Sequence, residues 1–453
     1  MSFPRYPEYK DSGVEWLREV PSHWSVGPLR YAIARIDSGT SVNAKDMPAE
    51  EGEIGVLKTS CVYGGSFDPD ENKAVLPEEF GRVSCPLKAN TLIVSRMNTP
   101  DLVGAVGLVR IAQAGLYLPD RLWLVSFADA HPTFCYYWMR SASYRGQVQA
   151  VCSGTSSSMQ NLSQGQFRSF IFPTPPMFEQ SAIAAFLDRE TGKIDALVAE
   201  QEKLIELLKE KRQAVISHAV TKGLDPTVLM KDSGIEWLGE MPEHWERVQL
   251  GRLCRQVSDG PHFSPAYEDE GVMFISARNI KVDGWSLDDV KFISERDYAE
   301  FSKRVIPDFG DVLYTKGGTT GIARVVDLKQ KFQIWVHIAV LKLHHSMSNP
   351  YYVAYALNSR GCYEQSQLYT RGATNQDLGL TRMIKIWLAL PPVSEQNEIV
   401  EHLNSATFEL DQLIAEAQRA IDLLNERRSA LISAAVTGKI DVRGIHPEMT
   451  EAI

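Results

Sequence analysis

The sequence predicts an α+β protein in which two mixed α/β domains are separated by an antiparallel pair of long helices (a coiled coil), with one arrangement occurring twice as a pseudo-two-fold cyclic repeat. Three observations predict this fold class. The stretch KDSGVEWLREVPSHW at residues 10–24 recurs as KDSGIEWLGEMPEHW at residues 231–245. Residues 175–225 align without a gap with residues 391–441, and both stretches have helical periodicity. The blocks between these repeats are rich in short β-like runs and do not match each other.

Residues 10–24 and 231–245, here called the EWL segments, open the two copies of the repeat. The offset between the EWL segments is larger than the offset between the helical repeats, so the second variable block is slightly shorter than the first. A third EWL segment would follow residue 441, and we expect the first one to occupy that place, which brings the chain ends together. The predicted regions are 1–174 (first domain with its EWL segment), 175–225 (first helical region), 226–390 (second domain with its EWL segment) and 391–453 (second helical region and tail).

The helical repeats carry a seam of residues at alternating spacings of three and four, as in a coiled coil. We expect two helices of about 30 residues that pair with each other, because a compact domain rarely needs helices of that length. Two ordinary core helices in separate domains are the alternative. The predicted seam positions are Ile194, Leu197, Gln201, Leu204, Leu208, Lys211 and Val215 in the first copy, and Leu410, Leu413, Ala417, Ala420, Leu424, Arg427 and Leu431 in the second.

Composition and charge bound the class of protein. The 453 residues are 44% hydrophobic and 23% charged, which is typical of globular chains and suits two or three domains. No apolar run resembles a signal peptide or a membrane span, so we expect a cytoplasmic protein with no membrane partner. The net charge is −10, but residues 25–174 are neutral and residues 246–390 carry +2. A local field that attracts phosphate is therefore possible on the two variable blocks.

Motifs for catalysis, cofactors and metals are missing from the sequence. It has no phosphate-binding loop, dinucleotide fingerprint or nucleophile elbow, and no CxxC pair, so we expect no catalytic residue, cofactor or metal. The stretch NPYY at residues 349–352 resembles the catalytic loop of amino-methyltransferases. Its counterpart in the first copy, at residues 131–134, is HPTF, and proline at a first helical position favours a structural interpretation of both as helix starts.

Polar side chains that can read bases cluster in the variable blocks. Arginine pairs with guanine, asparagine and glutamine with adenine, and serine or threonine with bases or phosphate. Exposed turns are the alternative for each cluster. The candidates in the first block are Lys58, Thr59, Ser60, Arg96, Asn98, Ser156, Ser157, Ser158 and Gln160; those in the second are Arg278, Asn279, Lys316, Thr319, Thr320, Arg324, Arg371, Thr374, Asn375 and Gln376. Lys316 and Arg324 flank GGTTGIA, whose glycines permit close approach to phosphate, so we predict backbone contacts there.

Taken together, these motifs resemble the specificity subunit of Type I restriction-modification systems. The resemblance covers nearly the whole chain: the EWL segments, GDVLYTKGGTTGIARVV, GATNQDL and the two PPxxEQ stretches before the helices. In the first block, NTLIVSRMNTPDLVGAV departs from the Gly-Asp start and Gly-rich turn of residues 310–321. The resemblance implies two target recognition domains that read a bipartite, asymmetric double-stranded DNA site. It also implies two methyltransferase subunits as partners, joined in the full enzyme by restriction (motor-nuclease) subunits.

Two classes of function follow from the sequence. The first is a non-catalytic subunit that recognises DNA and assembles the enzyme, as the resemblance implies. The second is a stand-alone DNA-modifying enzyme of the amino-methyltransferase kind, which only the NPYY stretch favours. The presence or absence of methyl transfer by the chain alone would separate the two.

Overall fold

The computed structural model describes residues 3–156, 159–372 and 376–445. They form two compact units. Unit 1 comprises the described residues up to Gln201 and from Arg419 onward, and unit 2 comprises Glu202–Gln418. Both units therefore contain part of each long helix.

Unit 1 is built on a four-stranded antiparallel sheet, β4-β11-β7-β9. A three-stranded sheet, β10-β5-β6, a second one, β12-β13-β8, and the pairs β1-β2 and β14-β3 complete it. Its strands are β1 (Tyr9–Asp11), β2 (Glu19–Pro21), β3 (Ser25–Pro28), β4 (Ile33–Ser38), β5 (Gly55–Leu57), β6 (Asn72–Ala74), β7 (Thr91–Ser95), β8 (Met97–Asn98), β9 (Val106–Val109), β10 (Leu116–Tyr117), β11 (Leu122–Phe127), β12 (Ser153–Ser156), β13 (Met159–Asn161) and β14 (Ile171–Thr174). Its helices are α1 (Pro132–Trp138), α2 (Ala142–Val151), α3 (Gln164–Ser169) and the start of α4 (Met177–Lys222), with 3-10 turns at Leu29–Tyr31, Thr59–Val62 and Pro77–Arg82.

Unit 2 repeats this topology. The sheet β18-β24-β21-β22 matches β4-β11-β7-β9, and β20-β19-β23 matches β6-β5-β10, including its one parallel pair. The strands are β15 (Met230–Asp232), β16 (Glu240–Pro242), β17 (Glu246–Gln249), β18 (Cys254–Asp259), β19 (Val272–Ile275), β20 (Lys291–Ile293), β21 (Val312–Thr315), β22 (Ala323–Val325), β23 (Phe332–Ile334), β24 (Ile338–Leu343) and β25 (Trp387–Leu390). The helices are α5 (Leu250–Leu253), α6 (Glu295–Ser302), α7 (Pro350–Leu357), α8 (Arg360–Tyr369), α9 (Leu380–Met383) and α10 (Val393–Val436), with a 3-10 turn at Ala277–Asn279. The predicted α+β duplication is confirmed.

The two long helices are longer than the sequence predicted, because α4 has 46 residues and α10 has 44. In unit 2, Ile216 and Val220 of α4 share a core with Ile399 and Leu403 of α10. In unit 1 the opposite ends of the helices meet, since Ile183 and Leu187 of α4 share a core with Ile432 and Val436. The helices therefore pair antiparallel in each unit, as predicted.

The predicted seam has the right period, but six of its fourteen residues are displaced by one position. Ile194, Leu208, Leu410, Ala417 and Leu431 are buried, whereas the predicted residues at every other step of the seam lie one position away from the buried or half-buried residue. Ile205 is 7% exposed, whereas the predicted Leu204 is 42% exposed. The same displacement replaces the predicted Leu197, Lys211, Leu413, Ala420 and Arg427 with Val198, Arg212, Ile414, Ile421 and Arg428. Apolar residues in this sequence fit two alternative seams that differ by one position at every other step. The helical period alone therefore does not decide which residue faces the partner helix.

An ion pair between the long helices occurs twice, and the duplication relates its two copies. In unit 2, Arg212 of α4 donates to Asp411 of α10, with 2.9 Å between Nε and Oδ1. In unit 1, Arg428 of α10 donates to Asp195 of α4. Asp195 is equivalent to Asp411 in the helical repeat, and Arg212 is equivalent to Arg428. One helix pairing is therefore used twice.

The glutamate of each PPxxEQ stretch anchors an EWL segment. Glu179 is fully buried and accepts the indole N–H of Trp24 at 2.9 Å, with the imidazole of His23 at 2.6 Å. Glu395 accepts from Trp245 at 3.0 Å, and the imidazole of His244 lies 2.9 Å away. A buried carboxylate needs such donors to offset the loss of its water.

The neighbouring glutamine anchors the helix that starts with proline. Gln180 accepts the backbone N–H of His131, and Gln396 accepts that of Asn349, each at 2.8 Å. The Asn349 side chain caps α7 by accepting the backbone N–H groups of Tyr351 and Tyr352. The polar groups of NPYY thus begin a helix and join it to α10.

The first and last segments that the structure describes, near residues 4–9 and 438–441, meet in unit 1, as the cyclic repeat predicts. The backbone N–H of Asp441 donates to the Pro4 carbonyl at 2.8 Å, and the Tyr9 hydroxyl donates to the Gly438 carbonyl at 3.0 Å. Gly438 has φ +74° and lies so close to Pro21 that a Cβ would come within 2.4 Å of the proline ring. The end of α10 therefore packs on the first EWL segment.

Candidate nucleic-acid interface

One edge of the central sheet of unit 2 gathers five of the eight candidates of the second block that the structure describes. Strands β18 and β21 end there at Asp259 and Thr315, and the antiparallel strand β24 begins there at Ile338. The described residues of the loop 371–377, which are 371, 372, 376 and 377, join this edge through the bridge between Gly317 and Asp377. In an antiparallel sheet the end of one strand lies beside the start of its neighbour. Loops that are distant in sequence therefore form one cluster here.

Lys316 lies at the centre of this edge, and its ammonium is held by two carboxylates. The residue is 6% exposed, and Nζ lies 3.3 Å from Asp259 Oδ2 and 3.4 Å from Asp377 Oδ1. Nζ also donates to the Val336 carbonyl at 3.3 Å. Its backbone carbonyl accepts from Leu378 at 2.7 Å. Lys316 therefore connects the end of β18 with the 371–377 loop and presents little charge to the surface.

Two titratable groups beside Lys316 have shifted pKa values. Burial alone would raise the pKa of Asp259, but the hydrogen bond from Arg304 and the charge of Lys316 hold it below its ordinary value. Burial and the charge of Lys316 both lower the pKa of His337. The edge thus keeps Asp259 ionised and His337 neutral at pH 7.

Three of the exposed candidates of unit 2 lie on the same sheet edge as Lys316. Thr319, Arg371 and Gln376 are exposed, whereas Thr320 is buried and its hydroxyl accepts from Gln367 at 3.2 Å. The loop that carries Arg371 and Gln376 is closed by two backbone hydrogen bonds between Arg371 and Asp377. Thr374 and Asn375 lie outside the described residues.

The remaining candidates of unit 2 lie elsewhere. Arg324 on β22 is half-buried, with its guanidinium 5.0 Å from the centre of the Trp285 ring and 3.3 Å from Asp327 Oδ2. Arg278 is exposed, but the adjacent Asn279 is buried, and its side chain bonds to Ser276 and to the Ser286 carbonyl. The structure does not bring Arg324, Arg278 and Asn279 into the Lys316 cluster.

Unit 1 has the corresponding edge, with different side chains. Arg96 follows β7 as Lys316 follows β21, and its backbone bonds to Arg121 and Leu162 as that of Lys316 bonds to His337 and Leu378. The guanidinium Nε of Arg96 is buried without a hydrogen-bond partner among the described residues. The two units therefore hold a basic residue at the same backbone position in different surroundings.

The first-block candidates near Arg96 lie on a small sheet. Gln160 pairs with Asn98 across β13 and β8. Asn98 is buried, and its amide donates to the Tyr63 hydroxyl at 2.9 Å and to Ser95 at 3.2 Å. Ser156 ends β12, while Ser157 and Ser158 lie outside the described residues.

Thr59 and Ser60 belong to the 3-10 turn that follows β5, and Lys58 is the residue just before that turn. Lys58 Nζ lies 3.6 Å from Glu71 Oε2, the Ser60 hydroxyl donates to the same carboxylate, and the Thr59 hydroxyl lies 2.8 Å from that of Tyr63. Because Tyr63 also bonds to Asn98, this turn and the Asn98 sheet are connected. Tyr63 is 40% exposed and was not among the sequence candidates.

The structure reveals further residues at the unit 2 edge that the sequence analysis missed. Asp259 and Asp377 hold Lys316, and His262 lies 3.3 Å from Asp259. The available signal was SDGPHF, a Gly-Pro turn directly after a strand, which is a typical place for a functional loop.

Two features are absent from the part of the chain that the structure describes. Within residues 3–156, 159–372 and 376–445, no helix is long and apolar enough to cross a membrane. Over the same part of the chain, no group of three or more His, Cys, Asp or Glu side chains is arranged to hold a metal ion.

Comparison with known proteins identifies the class. The family model for the Type I restriction modification DNA specificity domain matches residues 28–207 and again residues 242–421. These matches cover more than half of the chain, and the chain belongs to this family. It is a DNA sequence-recognition subunit without a catalytic site of its own.

Individual relatives are similar over almost their whole length. The Type I restriction enzyme EcoKI specificity subunit of Escherichia coli (strain K12) is 20% identical over 439 residues, which cover 93% of this chain and 90% of that protein. The putative type I restriction enzyme MjaX specificity subunit of Methanocaldococcus jannaschii is 24% identical, covering 94% and 96%. A solved structure titled "Structural basis underlying complex assembly and conformational transition of the type I R-M system" shares the fold, with TM-score 0.67, 15% identity and coverage of 92% and 98%.

Proposed function

We propose that this chain binds a bipartite, asymmetric double-stranded DNA site and that each unit reads one half of it through the sheet edge described above. The observation that carries this proposal is that the two units share one backbone arrangement at the sheet edge but present different side chains there. Gln160 and Gln376 occupy equivalent positions, because their neighbours Asn161 and Asp377 pair with Met97 and Gly317. Around these glutamines the side chains differ between the units, so each unit offers a different set of donors and acceptors.

Within this proposal the accessible residues read bases and the buried ones hold the loops. Gln160, which is partly exposed, and Gln376 are suited to adenine, and Arg371 to guanine. Thr319 and Arg278, both exposed, are suited to phosphate oxygens. The polar groups of the buried candidates bond inside the fold, and we assign these residues to positioning: Lys316, Asn98, Asn279 and Thr320.

We also propose that two methyltransferase subunits bind the chain, one per copy of the repeat, and that restriction subunits join the assembled complex. The long helices support this arrangement because the displaced seam leaves leucines exposed in duplicate. Leu197 (46% exposed) and Leu423 (64%) belong to unit 1, and Leu207 (53%) and Leu413 (48%) to unit 2. The helical repeat makes Leu197 equivalent to Leu413 and Leu207 equivalent to Leu423. Two equivalent apolar surfaces suit two copies of one partner.

The test is to co-express the chain with its methyltransferase and sequence the methylated sites. We expect one bipartite sequence for the natural chain. Gln376→Ala should relax one position of one half-site, Gln160→Ala one position of the other, each by about 1–3 kcal/mol of discrimination. If both variants changed the same half-site, the proposal that each unit reads one half-site would be contradicted. Methyl transfer by the chain alone, with labelled S-adenosylmethionine and DNA, would support the stand-alone enzyme instead.

A further inference from the structure

The loop after β18 places an apolar side chain at the sheet edge of unit 2 that contains Lys316. Phe263 is 58% exposed, although its ring packs edge-on against the buried Phe301 with 5.2 Å between ring centres. A large aromatic ring that is more than half exposed leaves apolar surface in water, which is unfavourable unless a ligand covers it.

The position of this loop relative to the candidate residues is fixed by contacts. His262, the residue before Phe263, has its Nε2 3.3 Å from Asp259 Oδ2, and the same oxygen lies 3.3 Å from Lys316 Nζ. Lys316 in turn contacts Asp377, the neighbour of Gln376. Phe263 therefore belongs to the same edge as Gln376.

The start of the loop is tightly packed. A Cβ on Gly260 would lie 2.3 Å from the carbonyl oxygen of Ile334, so only glycine allows β18 to end this close to β23. The Arg304 guanidinium also binds the Asp259 carbonyl at 2.8 Å. The backbone that leads to Phe263 is thus held in place before any ligand binds, as a recognition element requires.

The equivalent loop of unit 1 presents different side chains on the same backbone plan. Ser38 pairs with Trp123 of β11 as Asp259 pairs with Ala339 of β24. Gly39 then matches Gly260, and a Cβ there would collide with the Leu118 carbonyl. By this register Val42 takes the place of Phe263. The backbone arrangement of the loop is repeated, while the apolar side chain at this position changes. Such a change is expected where two units read different half-sites.

We propose that Phe263 is a specificity-determining residue of unit 2 and that its exposed ring contacts the 5-methyl group of a thymine in the half-site that this unit reads. Thymine is the DNA base that offers an apolar group in the major groove, and phenylalanine is among the side chains that contact it. The inference rests on the proposed function, because it requires that unit 2 reads a half-site.

The test uses the chain co-expressed with its methyltransferase, with Phe263→Ala and the matched control Phe309→Ala. Phe309 is 71% exposed in the same unit but precedes β21, at the opposite end of the strand from Lys316. Sequencing of methylated sites should show that Phe263→Ala accepts other bases at one thymine position of one half-site. The other half-site should be unchanged, which shows that the variant is folded. Phe309→Ala should methylate the natural sites.

A binding measurement tests the methyl contact itself. Duplexes with deoxyuridine at that position lack the methyl group and should bind the natural complex about fourfold more weakly, the effect of about one buried methyl group. The Phe263→Ala complex should bind both duplexes equally. The inference would be overturned if deoxyuridine weakened binding equally in the two complexes. It would also be overturned if Phe263→Ala relaxed specificity at a G·C pair or left the half-site unchanged. Loss of all methylation by both Phe263→Ala and Phe263→Leu would overturn it as well and would assign the ring to folding. If the natural complex methylates no bipartite sequence, the proposed function fails instead.

Discussion

Glu179 accepts a hydrogen bond from the indole nitrogen of Trp24, a residue 155 positions earlier in the chain. The duplication repeats this bond between Glu395 and Trp245. The two EWL segments are thus explained by one requirement. Each places a tryptophan on the glutamate that starts a long helix.

We predict that the two glutamates differ in their effect on stability. Glu179 is fully buried and also accepts from the Tyr6 hydroxyl at 3.1 Å, whereas the side chain of Glu395 is 26% exposed. Glu179→Ala should lower the free energy of unfolding by about 3 kcal/mol, because it leaves buried donors without an acceptor, and Glu395→Ala by about half as much. Urea unfolding measures both. Glu398→Ala, on the exposed surface of α10, is the control, and equal effects of Glu179 and Glu395 would contradict the argument.

A second prediction concerns the junction of the chain ends. Arg443 binds Asp441 at 2.7 Å and lies over the Tyr6 ring, whereas the equivalent position of the first copy is Thr227 in a continuous chain. Arg443→Ala should increase hydrogen exchange in residues 4–10 and 437–445 and leave residues 224–232 unchanged. The contact with Arg443 lowers the pKa of Asp441. Its stabilisation should therefore be complete above the unfolded pKa of about 4 and be lost as pH falls through the lower folded value. If hydrogen exchange increased equally in residues 224–232, the effect of Arg443 would not be local to the junction of the chain ends.

The exposed leucines give a third prediction. Leu197→Arg with Leu423→Arg should remove one methyltransferase from the complex, and Leu207→Arg with Leu413→Arg the other, because each pair places charge in one proposed apolar surface. Native mass spectrometry of the co-expressed complex should change from two methyltransferase subunits per chain to one. Glu202→Arg is the control, since helical periodicity places residue 202 on a different face of α4 from Leu197 and Leu207. Retention of two subunits by both double variants would exclude these surfaces.

Much of the scaffold could be predicted from the sequence because it is written twice. Periodicity predicted the helices and their pairing, but Leu204 and Ile205 satisfy the same pattern, and only packing decides that Ile205 is buried. The site was harder to predict because side-chain partners come from distant strands. Lys316 was predicted to contact phosphate from its glycine neighbours, and nothing local in the sequence reveals that Asp259, at the end of another strand, holds its ammonium. Asn98 and Asn279 have the right chemistry for bases, but their burial depends on the fold around them.

The last prediction separates positioning from phosphate binding in unit 2. Arg278 is exposed, whereas the ammonium of Lys316 is buried between Asp259 and Asp377. Arg278→Ala should weaken binding to all duplexes about equally and make the slope of log affinity against log salt less steep by about 1, because one fewer counterion is released. Lys316→Gln should leave this slope unchanged and reduce the preference for one half-site, because the 371–377 loop loses its anchor. Fluorescence anisotropy with cognate and unrelated duplexes over a series of salt concentrations measures both effects. A smaller slope for Lys316→Gln would place its ammonium on a phosphate in the bound state.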